Sequence, residues 1–189
     1  MSKAADKILT TAEYLFNQHS FSSVGVDLIR DASGSSKTTM YTHFKNKQQL
    51  IAEVLTQRDL RFKTSLDEYI GTATGVAALE KILQWHLDWF QQDHFKGCLF
   101  VRVVAETTTE QTELQHIAQQ HKQWIYQRIQ QTCQSLQNSE QVTLLFYTQL
   151  EGLISRFLVE GYNVIAAQKQ QQLIMSMIEL LQHHKMEEV

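Results

Sequence analysis

Apolar residues recur at every third or fourth position along most of the chain, a spacing that predicts amphipathic α-helices rather than strands. Residues 3–18 show it first, in one stripe made of Ala5, Ile8, Ala12, Leu15 and Phe16. Shorter stretches of the same kind lie at 26–32 and 36–43, and a longer one runs from Lys47 to residue 70. The N-terminal third therefore predicts three short helices around a small core, followed by one long helix.

The helical pattern resumes after a break at Gly71-Thr-Ala-Thr-Gly75. Proline is absent and glycine occurs only seven times, so few residues interrupt a helix. The pattern predicts five further helices, at 76–92, 98–107, 112–136, 140–160 and 163–183, with Asn138-Ser139 as a cap before the fourth of them. We therefore expect an all-α protein with a three-helix domain at 1–46, a connecting helix at 47–70 and a larger helical domain at 71–189.

The stretch from residue 31 to residue 47 has the order of a helix-turn-helix: a helix end, a tight turn, a short second helix and a basic start to the next one. Gly34 is suited to end the first helix, because glycine reaches a left-handed conformation without steric cost. Ser36 is suited to cap the second, its hydroxyl accepting a backbone N–H. On that helix Met40 and Phe44 lie four residues apart on one face, whereas hydroxyl, phenol and ammonium groups occupy the rest. Such groups hydrogen-bond phosphates and base edges, which favours a DNA-recognition helix.

Residues 8–55 resemble the DNA-binding domain of the TetR/AcrR family of bacterial transcriptional regulators. The matching residues are Ile8, Ala12 and Leu15-Phe16, then Val26-Asp27-Leu28-Ile29, then Gly34-Ser-Ser-Lys-Thr-Thr-Met-Tyr-Thr-His-Phe44, then Lys47 and Leu50. The resemblance implies an N-terminal helix-turn-helix domain and a larger C-terminal domain for ligand binding and dimerisation. It further implies a ligand-responsive regulator, most often a repressor, that binds a palindromic DNA operator as a homodimer and is released by a small hydrophobic or amphipathic inducer.

By the same resemblance, the recognition helix enters the major groove of DNA. Residues 37–39 then face bases or nearby phosphates, Tyr41 and His43 clamp the phosphate backbone, and Lys47 holds a phosphate at the start of the fourth helix. Taken singly, Tyr41 also suits a half-buried packing role and His43 an ordinary surface position. The complete expected DNA-binding set is Gly25, Ser36, Lys37, Thr38, Thr39, Tyr41, Thr42, His43 and Lys47.

Some positions depart from the family pattern. Val24-Gly25 stands where a hydroxyl pair usually caps the second helix and contacts phosphate, so one of the two preceding serines would have to supply that contact. Thr38 replaces a common glycine, which adds bulk at the groove. Arg30 stands where a small residue is usual, placed either to reach DNA or to pair with a neighbouring aspartate.

The predicted helices between residues 76 and 136 are rich in aromatic residues, and the next helix adds more. Aromatic side chains around a few polar groups are typical of a small-molecule site, and the resemblance places an effector pocket in this region. Aromatics at helical spacing also fill ordinary cores, so solid packing is the alternative. The candidate pocket residues are Trp85, His86, Trp89, Phe100, Arg102, Trp124, Phe146 and Tyr147.

The last two predicted helices, 140–160 and 163–183, are apolar on more than one face. A helix wetted on one side needs an apolar stripe only about 100° wide, so the surplus indicates burial against a second surface. The resemblance identifies that surface as the same two helices of a partner, which implies a homodimer joined by a four-helix bundle. The alternative is that the two helices fill the centre of a monomer.

Cys98 is a candidate for reactive chemistry, because it stands at a predicted helix N-terminus close to Lys96, and both features favour a thiolate. We regard it as a candidate sensing thiol, with a buried, inert cysteine as the alternative. The usual motifs of metal, nucleotide and hydrolase sites are missing from the sequence. We therefore expect neither an enzyme nor a bound metal or cofactor.

Charge is unevenly distributed: residues 1–63 hold nine Lys and Arg against six Asp and Glu, and the remainder holds eight against fourteen. A cationic N-terminal end suits a polyanion such as double-stranded DNA. With no signal-like start and no apolar run near the ~20 residues that span a bilayer, we expect a cytoplasmic protein without a membrane partner, associated with the nucleoid when bound to DNA. The alternative function is a helical adaptor, or a non-specific DNA-binding protein without an inducer response.

Overall fold

The computed structural model describes residues 2–107 and 112–183. Over these residues it has no strand and nine α-helices: α1 Lys3–Gln18, α2 Val26–Ser33, α3 Lys37–His43, α4 Lys47–Ile70, α5 Gly75–Phe90, α6 Leu99–Glu106, α7 Thr112–Cys133, α8 Ser139–Glu160 and α9 Val164–His183. Every predicted helix is present, with ends that differ from the expected ones by no more than three residues. The all-α prediction is confirmed.

Contacts along the chain divide it into two units. Unit 1 comprises Met1–Phe62 and Cys98–His121, and unit 2 comprises Lys63–Gly97 and Lys122–Val189. These boundaries differ from the expected ones in two ways: α4 is shared between the units, and α6 with the first part of α7 joins the N-terminal helices. Two side chains of α6 bond backbone groups at the end of α1 and in the segment that follows it.

The core of unit 1 forms where α1, α2 and α3 pack against one another. Its fully buried side chains include Ile8, Phe16, Ile29, Met40, Leu50 and Leu55. The rings of Phe16 and Phe21 add an aromatic contact, with centroids 5.0 Å apart. Met40 and Phe44 are both buried, as their spacing on the predicted helix requires.

The turn between α2 and α3 has the geometry expected for Gly34. Its φ of 61° lies in the left-handed region, and its N–H donates to the carbonyls of Arg30 and Asp31. The N–H of Ser35 also donates to the Arg30 carbonyl, at 3.1 Å. This arrangement closes α2 in the manner of a Schellman motif, which needs a residue that tolerates positive φ.

Ser36 caps α3, as predicted: its Oγ accepts the N–H of Thr39 at 3.0 Å. Ser36→Ala removes that acceptor, and we expect the free energy of unfolding, measured by urea denaturation, to fall by about 1 kcal/mol. Thr74 is the matched control, because it stands at the N-cap of α5 without a side-chain cap bond. Thr74→Ala should cost clearly less. Equal losses in the two variants would show that the Ser36 hydroxyl does not stabilise α3.

Unit 2 is built from α5, α8 and α9, which pack pairwise, together with the C-terminal part of α7. Its buried side chains include Leu79, Ile82, Phe146, Phe157 and Ile178. Lys122 of α7 joins α8 through Glu151, its Nζ lying 2.7 and 2.6 Å from the two carboxylate oxygens. Unit 2 is therefore a helical bundle with an ion pair added to its apolar core.

Asn138 stands at the N-cap of α8, where the sequence predicts a cap from Asn138-Ser139, but its side chain makes no cap bond. Its Nδ2 instead donates to the carbonyl of Leu181 at 2.6 Å. That carbonyl lies near the end of the described part of α9. The asparagine thus ties the start of α8 to α9.

α8 is long and apolar enough to cross a membrane by length and composition, and it is the one such helix among the described residues. Its most apolar window has a mean hydropathy of 1.2 and is 39% buried. The core helix of a soluble protein meets the same criterion, so this is weak evidence for a membrane span. The apolar character of α8 is accounted for by a buried face against α5 and α9 and by a second, uncharged face.

Candidate nucleic-acid interface

α2, the turn at residues 34–36 and α3 form the helix-turn-helix that the sequence predicts. α1 packs on both helices, and Met40 and Phe44 seat α3 on the core of unit 1. Tyr41 has 48% of its surface exposed, which is more than a packing tyrosine would show. The other outward residues of α3 are Lys37, Thr38 and Thr42, which are exposed, and Thr39 and His43, which are partly exposed. Their contact with DNA stays a prediction.

Two of the threonine hydroxyls on α3 are bonded within the helix. Thr42 Oγ1 donates to the Thr38 carbonyl at 2.8 Å, and the hydroxyl oxygens of Thr39 and Ser36 lie 2.8 Å apart. Bonds of this kind hold each threonine in one rotamer. The Thr39 and Thr42 side chains are therefore held in place before any partner binds.

His43, at the end of α3, is bonded to the start of α1. Its Nε2 lies 3.1 Å from the Oγ of Ser2, which also caps α1 by accepting the N–H of Ala5. Because Ser2 Oγ accepts that N–H, its own proton is suited to the lone pair of Nε2. In that arrangement Nδ1 carries the N–H of the neutral ring, and its contact with a phosphate stays a prediction.

The start of α4 carries a capping arrangement that the sequence analysis missed. Asn46 Oδ1 accepts the N–H of Gln49 at 2.8 Å, and Gln49 Oε1 accepts the N–H of Lys45 at 2.7 Å. The Asn-x-x-Gln spacing of a capping box is visible in the sequence and would have revealed it. The arrangement orders the backbone on both sides of Lys47.

Lys47 itself lies against the segment between α1 and α2, residues 19–25. Its Nζ is 3.5 Å from the carbonyl oxygen of Ser22. Burial lowers the pKa of Lys47, and the negative charge of Glu106 partly opposes this. A phosphate bound by this ammonium would therefore lie close to the α1–α2 segment and the N-terminus of α2.

The α1–α2 segment holds its serines in bonds to one another. Ser20 Oγ lies 3.0 Å from Ser22 Oγ and accepts the N–H of Ser23 at 3.0 Å, while Ser23 Oγ donates to the Ser20 carbonyl at 3.1 Å. Gly25 is exposed at the N-cap of α2 and has no side chain to cap it. Because the Ser23 hydroxyl is committed to the turn, Ser22 is the better candidate for the phosphate contact that Gly25 lacks.

Arg30 pairs with both neighbouring aspartates. Its NH1 lies 2.6 Å from Asp27 Oδ1 and its NH2 lies 2.7 Å from Asp31 Oδ1. The hydrogen bond between Arg30 and Asp31 raises the pKa of the arginine and lowers that of the aspartate. Of the two roles left open by the sequence, the structure shows the ion pairs.

Six of the eight candidate pocket residues lie in unit 2. On α5, the Trp85 ring lies 4.9 Å from His86 and 6.3 Å from Trp89, centroid to centroid. Trp85 Nε1 donates to Ser65 Oγ at 3.1 Å, and His86 is buried with its Nδ1 2.8 Å from the Ile82 carbonyl. These three α5 residues form one aromatic cluster.

The other three pocket candidates in unit 2 lie on α7 and α8. Lys63 Nζ is 5.4 Å from the ring centroid of Trp124, and Tyr147 meets Tyr126 edge-on at 5.4 Å. Phe146 is buried in the core of unit 2. Each of these side chains thus has a packing role, and its part in effector binding stays a prediction.

Phe100 and Arg102 belong to unit 1, whereas the other six candidates belong to unit 2. Phe100 stacks on His121 with ring centroids 3.7 Å apart and planes 11° from parallel. The Arg102 guanidinium donates to the backbone carbonyls of Asn17 and His19 at the end of α1. Of the eight candidates, the structure shows ring contacts among the three on α5.

Cys98 stands at the N-cap of α6, as predicted, and is buried. Cys133 is also buried, which raises the pKa of its thiol, although a hydrogen bond with Thr143 opposes the shift. A sensing role for Cys98 stays a prediction. Within residues 2–107 and 112–183, no group of three His, Cys, Asp or Glu side chains is arranged to hold a metal ion.

The segment from α1 into α4 also matches a known family. The model described as bacterial regulatory proteins, tetR family, covers residues 8–54, which include the whole helix-turn-helix. Residues 8–54 belong to the TetR family. Members of the TetR family are regulators rather than enzymes, in agreement with the expectation from the sequence.

A curated relative and two solved structures extend the comparison. Over 86 residues the chain is 33% identical to the transposon Tn10 TetC protein of Escherichia coli, a match that covers 43% of this chain and 42% of that protein. A TetR-family regulator of Streptomyces coelicolor, SCO4454, has a TM-score of 0.79 at 18% identity and covers 94% of this chain and 93% of its own. A TetR-family regulator of Agrobacterium tumefaciens has a TM-score of 0.76 at 14% identity, with 94% and 96% covered.

These matches differ in what they show. The chain spans less than half the length of the curated TetC relative. The two solved structures match along nearly the whole chain but at low identity, and they show that its fold is that of a TetR-family protein.

Proposed function

We propose that the protein is a DNA-binding transcriptional regulator that recognises a two-fold-symmetric operator as a homodimer and responds to a small-molecule effector. The observation that carries the proposal is the outward polar face of α3 within the segment that matches the TetR family. Its ammonium, hydroxyl, phenol and imidazole groups are those that bind base edges and phosphates in a major groove. Such a regulator acts in the cytoplasm, on the nucleoid.

In the proposed complex, α3 lies in the major groove and the neighbouring helix ends contact the backbone. Residues 37–39 read bases, with the lysine donating to guanine O6 or N7 and a threonine methyl meeting a thymine methyl. Tyr41 and His43 bind phosphates beside the groove. Lys47 and Ser22 bind a further phosphate near the N-terminus of α2.

A homodimer is supported by an uncharged, outward stripe on α8. The stripe repeats every three or four residues and consists of Gln141, Leu144, Thr148, Gly152, Ser155 and Val159, all exposed. The residues in the middle of the stripe have small side chains or none, and a Cβ built at Gly152 would meet nothing within 4 Å. Because glycine weakens the middle of a helix, an exposed glycine here is explained by the close approach of a second helix.

The groove between α8 and α9 continues this face. It has a volume of ~810 Å³ and is lined by Gln141, Leu144, Leu145, Thr148, Gln149, Met177, Leu180 and Leu181. Leu144 and Leu180 are 58% and 60% exposed. Soluble monomers rarely leave a contiguous apolar patch of this kind in water, so a second copy of the chain is the occupant that we propose. Two copies would then present their recognition helices about 34–36 Å apart, one turn of DNA.

For the effector we propose the aromatic cluster of α5. It extends beyond Trp89 through Phe95, at 4.9 Å, and from Phe90 to Phe157 of α8, at 5.4 Å, between ring centroids. Aromatic walls with few polar groups suit a hydrophobic or amphipathic compound. A coupling of about 1–3 kcal/mol between effector and operator binding suffices for regulation.

Lys47→Ala should weaken binding to every duplex, because a phosphate contact is independent of sequence. The slope of log K against log salt should become shallower by about 1.8, the share of the two phosphates that the two Lys47 side chains of a dimer would contact. Tyr41→Phe should act in the same uniform way, whereas Lys37→Ala should change the preference between duplexes. Fluorescence anisotropy with labelled duplexes at several salt concentrations measures all three.

Lys169→Ala is the matched control, because it removes an exposed lysine from α9 in unit 2. It should leave DNA affinity unchanged. If Lys47→Ala leaves both the affinity and the salt slope at their wild-type values, the proposed docking of α3 and α4 is wrong.

A further inference from the structure

The end of α1 is closed by a residue from a distant part of the chain. The last carbonyls of a helix have no helical N–H to bond, and α1 has no basic residue in its last turn. Arg102 of α6 donates from NH1 to the Asn17 carbonyl at 2.9 Å and from NH2 to the His19 carbonyl at 2.5 Å. Its side chain is only 23% exposed, so these charge-assisted bonds are partly shielded from water.

Glu106, one turn further along α6, bonds the next residues of the α1–α2 segment. Its Oε2 accepts the N–H of Phe21 at 2.6 Å and that of Ser22 at 3.4 Å. Arg102 and Glu106 also lie 3.7 Å from each other. One helix therefore supplies a cation for the carbonyls of this segment and an anion for its N–H groups.

The segment held in this way is the one against which Lys47 lies. The Lys47 ammonium is 3.5 Å from the carbonyl of Ser22, whose N–H faces Glu106. Burial lowers the pKa of Lys47, and the charge of Glu106 partly offsets that effect. The position of the Ser22 peptide thus depends on α6, and the position of the ammonium depends on that peptide.

We propose that Arg102 and Glu106 are positioning residues for DNA binding: from α6 they set the conformation of residues 19–25, and thereby the place of the Lys47 ammonium and of the α2 N-terminus. This inference rests on the DNA-binding function proposed above. Arg102 then acts within unit 1, although the sequence suggests a place for it in the effector pocket. The proposed role also explains why α6 groups with the N-terminal helices.

A charge-swapped pair separates this arrangement from an ordinary ion pair. In Arg102→Glu/Glu106→Arg the attraction between the two side chains is kept, but a carboxylate now faces carbonyls and a guanidinium faces N–H groups. We expect the swapped protein to bind DNA at least about tenfold more weakly, because several hydrogen bonds to charged groups are lost. Glu106→Gln, a milder change, should weaken binding by a few-fold.

The experiment uses the full-length chain and two readouts. The first is amide hydrogen exchange at Phe21 and Ser22, which should accelerate in both variants. The second is affinity for a duplex that the wild-type protein retains from a random pool. The control is Arg156→Glu/Glu160→Arg on α8. It swaps an ion pair whose residues are also four positions apart in sequence and whose charged atoms lie 2.9 Å apart, and it should alter neither readout.

Each outcome decides the matter. Wild-type exchange rates at Phe21 and Ser22 in both variants would overturn the proposal, because the bonds from Glu106 would then not hold the segment. Faster exchange with unchanged DNA affinity would leave those bonds a structural role and overturn the positioning role. If the wild-type protein retains no duplex, the proposed function fails and the positioning role fails with it, while exchange still reports on the bonds themselves. A swapped protein that does not fold leaves Glu106→Gln to decide.

Discussion

Gly152→Phe should convert the protein from a dimer into a monomer. Within one chain the new side chain projects into open space, since a Cβ at this position meets nothing within 4 Å. In the proposed dimer it enters the middle of the α8 stripe. The small side chains of Thr148 and Ser155 let the partner helix approach closely there, which leaves little room for a ring. Overpacking costs about 1–3 kcal/mol, and two-fold symmetry applies that cost twice, so the dimer dissociation constant should rise about 30-fold to 10⁴-fold. Sedimentation equilibrium measures it.

Gln168→Phe provides the control for Gly152→Phe. Gln168 is exposed on α9, away from the face that carries Leu173, Met177 and Leu180, so a phenylalanine there should leave the dimer intact. If Gly152→Phe remains a dimer at the same concentrations as the wild type, the α8 stripe is not the interface. The monomer, where it forms, should also bind DNA more weakly, because it holds only one half-site.

DNA affinity should fall about 10³–10⁵-fold between 50 and 200 mM salt, the drop expected if a dimer neutralises roughly 6–10 phosphates. The net charge of the whole chain is −3, so overall charge does not attract DNA. The attraction must come from the local cations, among them Lys37, Lys45 and Lys47. Titrations of one duplex at fixed pH and increasing salt give the slope.

The Lys47→Ala variant calibrates that slope, since it should remove the share of two phosphates, one for each subunit of the dimer. If the slope of log affinity against log salt corresponds to fewer than about two neutralised phosphates, the proposed docking is wrong. A helical adaptor, the alternative left open by the sequence, would bind no duplex with a measurable salt dependence.

The helices were predictable from the sequence because their ends carry local signals. Gly34 ends α2 and Ser36 starts α3 through bonds to residues within four positions of themselves. The outward face of α3 was predictable for a similar reason, since helical periodicity alone separates Met40 and Phe44 from the polar positions. Interactions between residues that are close in sequence leave a pattern that can be recognised in the sequence.

Contacts between distant residues were not predictable. Arg102 was expected in the effector pocket, but it bonds backbone carbonyls 83 and 85 positions away. Asn138 was expected to cap its own helix, but it bonds a carbonyl 43 positions away. Every residue has a backbone carbonyl, so a sequence gives no sign of which one a side chain will reach. The orientation of Lys47 towards the α1–α2 segment depends on the same kind of contact.

Selection from a pool of random DNA duplexes, followed by sequencing of those that the purified protein retains, tests the central claim most directly. A dimer that presents two recognition helices one DNA turn apart should enrich a two-fold-symmetric site of about 15–25 base pairs. Enrichment of a single, unpaired half-site would contradict the proposal that a dimer binds a two-fold-symmetric operator. No enrichment at low salt, with a dimer verified by sedimentation, would contradict the proposal that the protein is a sequence-specific DNA-binding regulator.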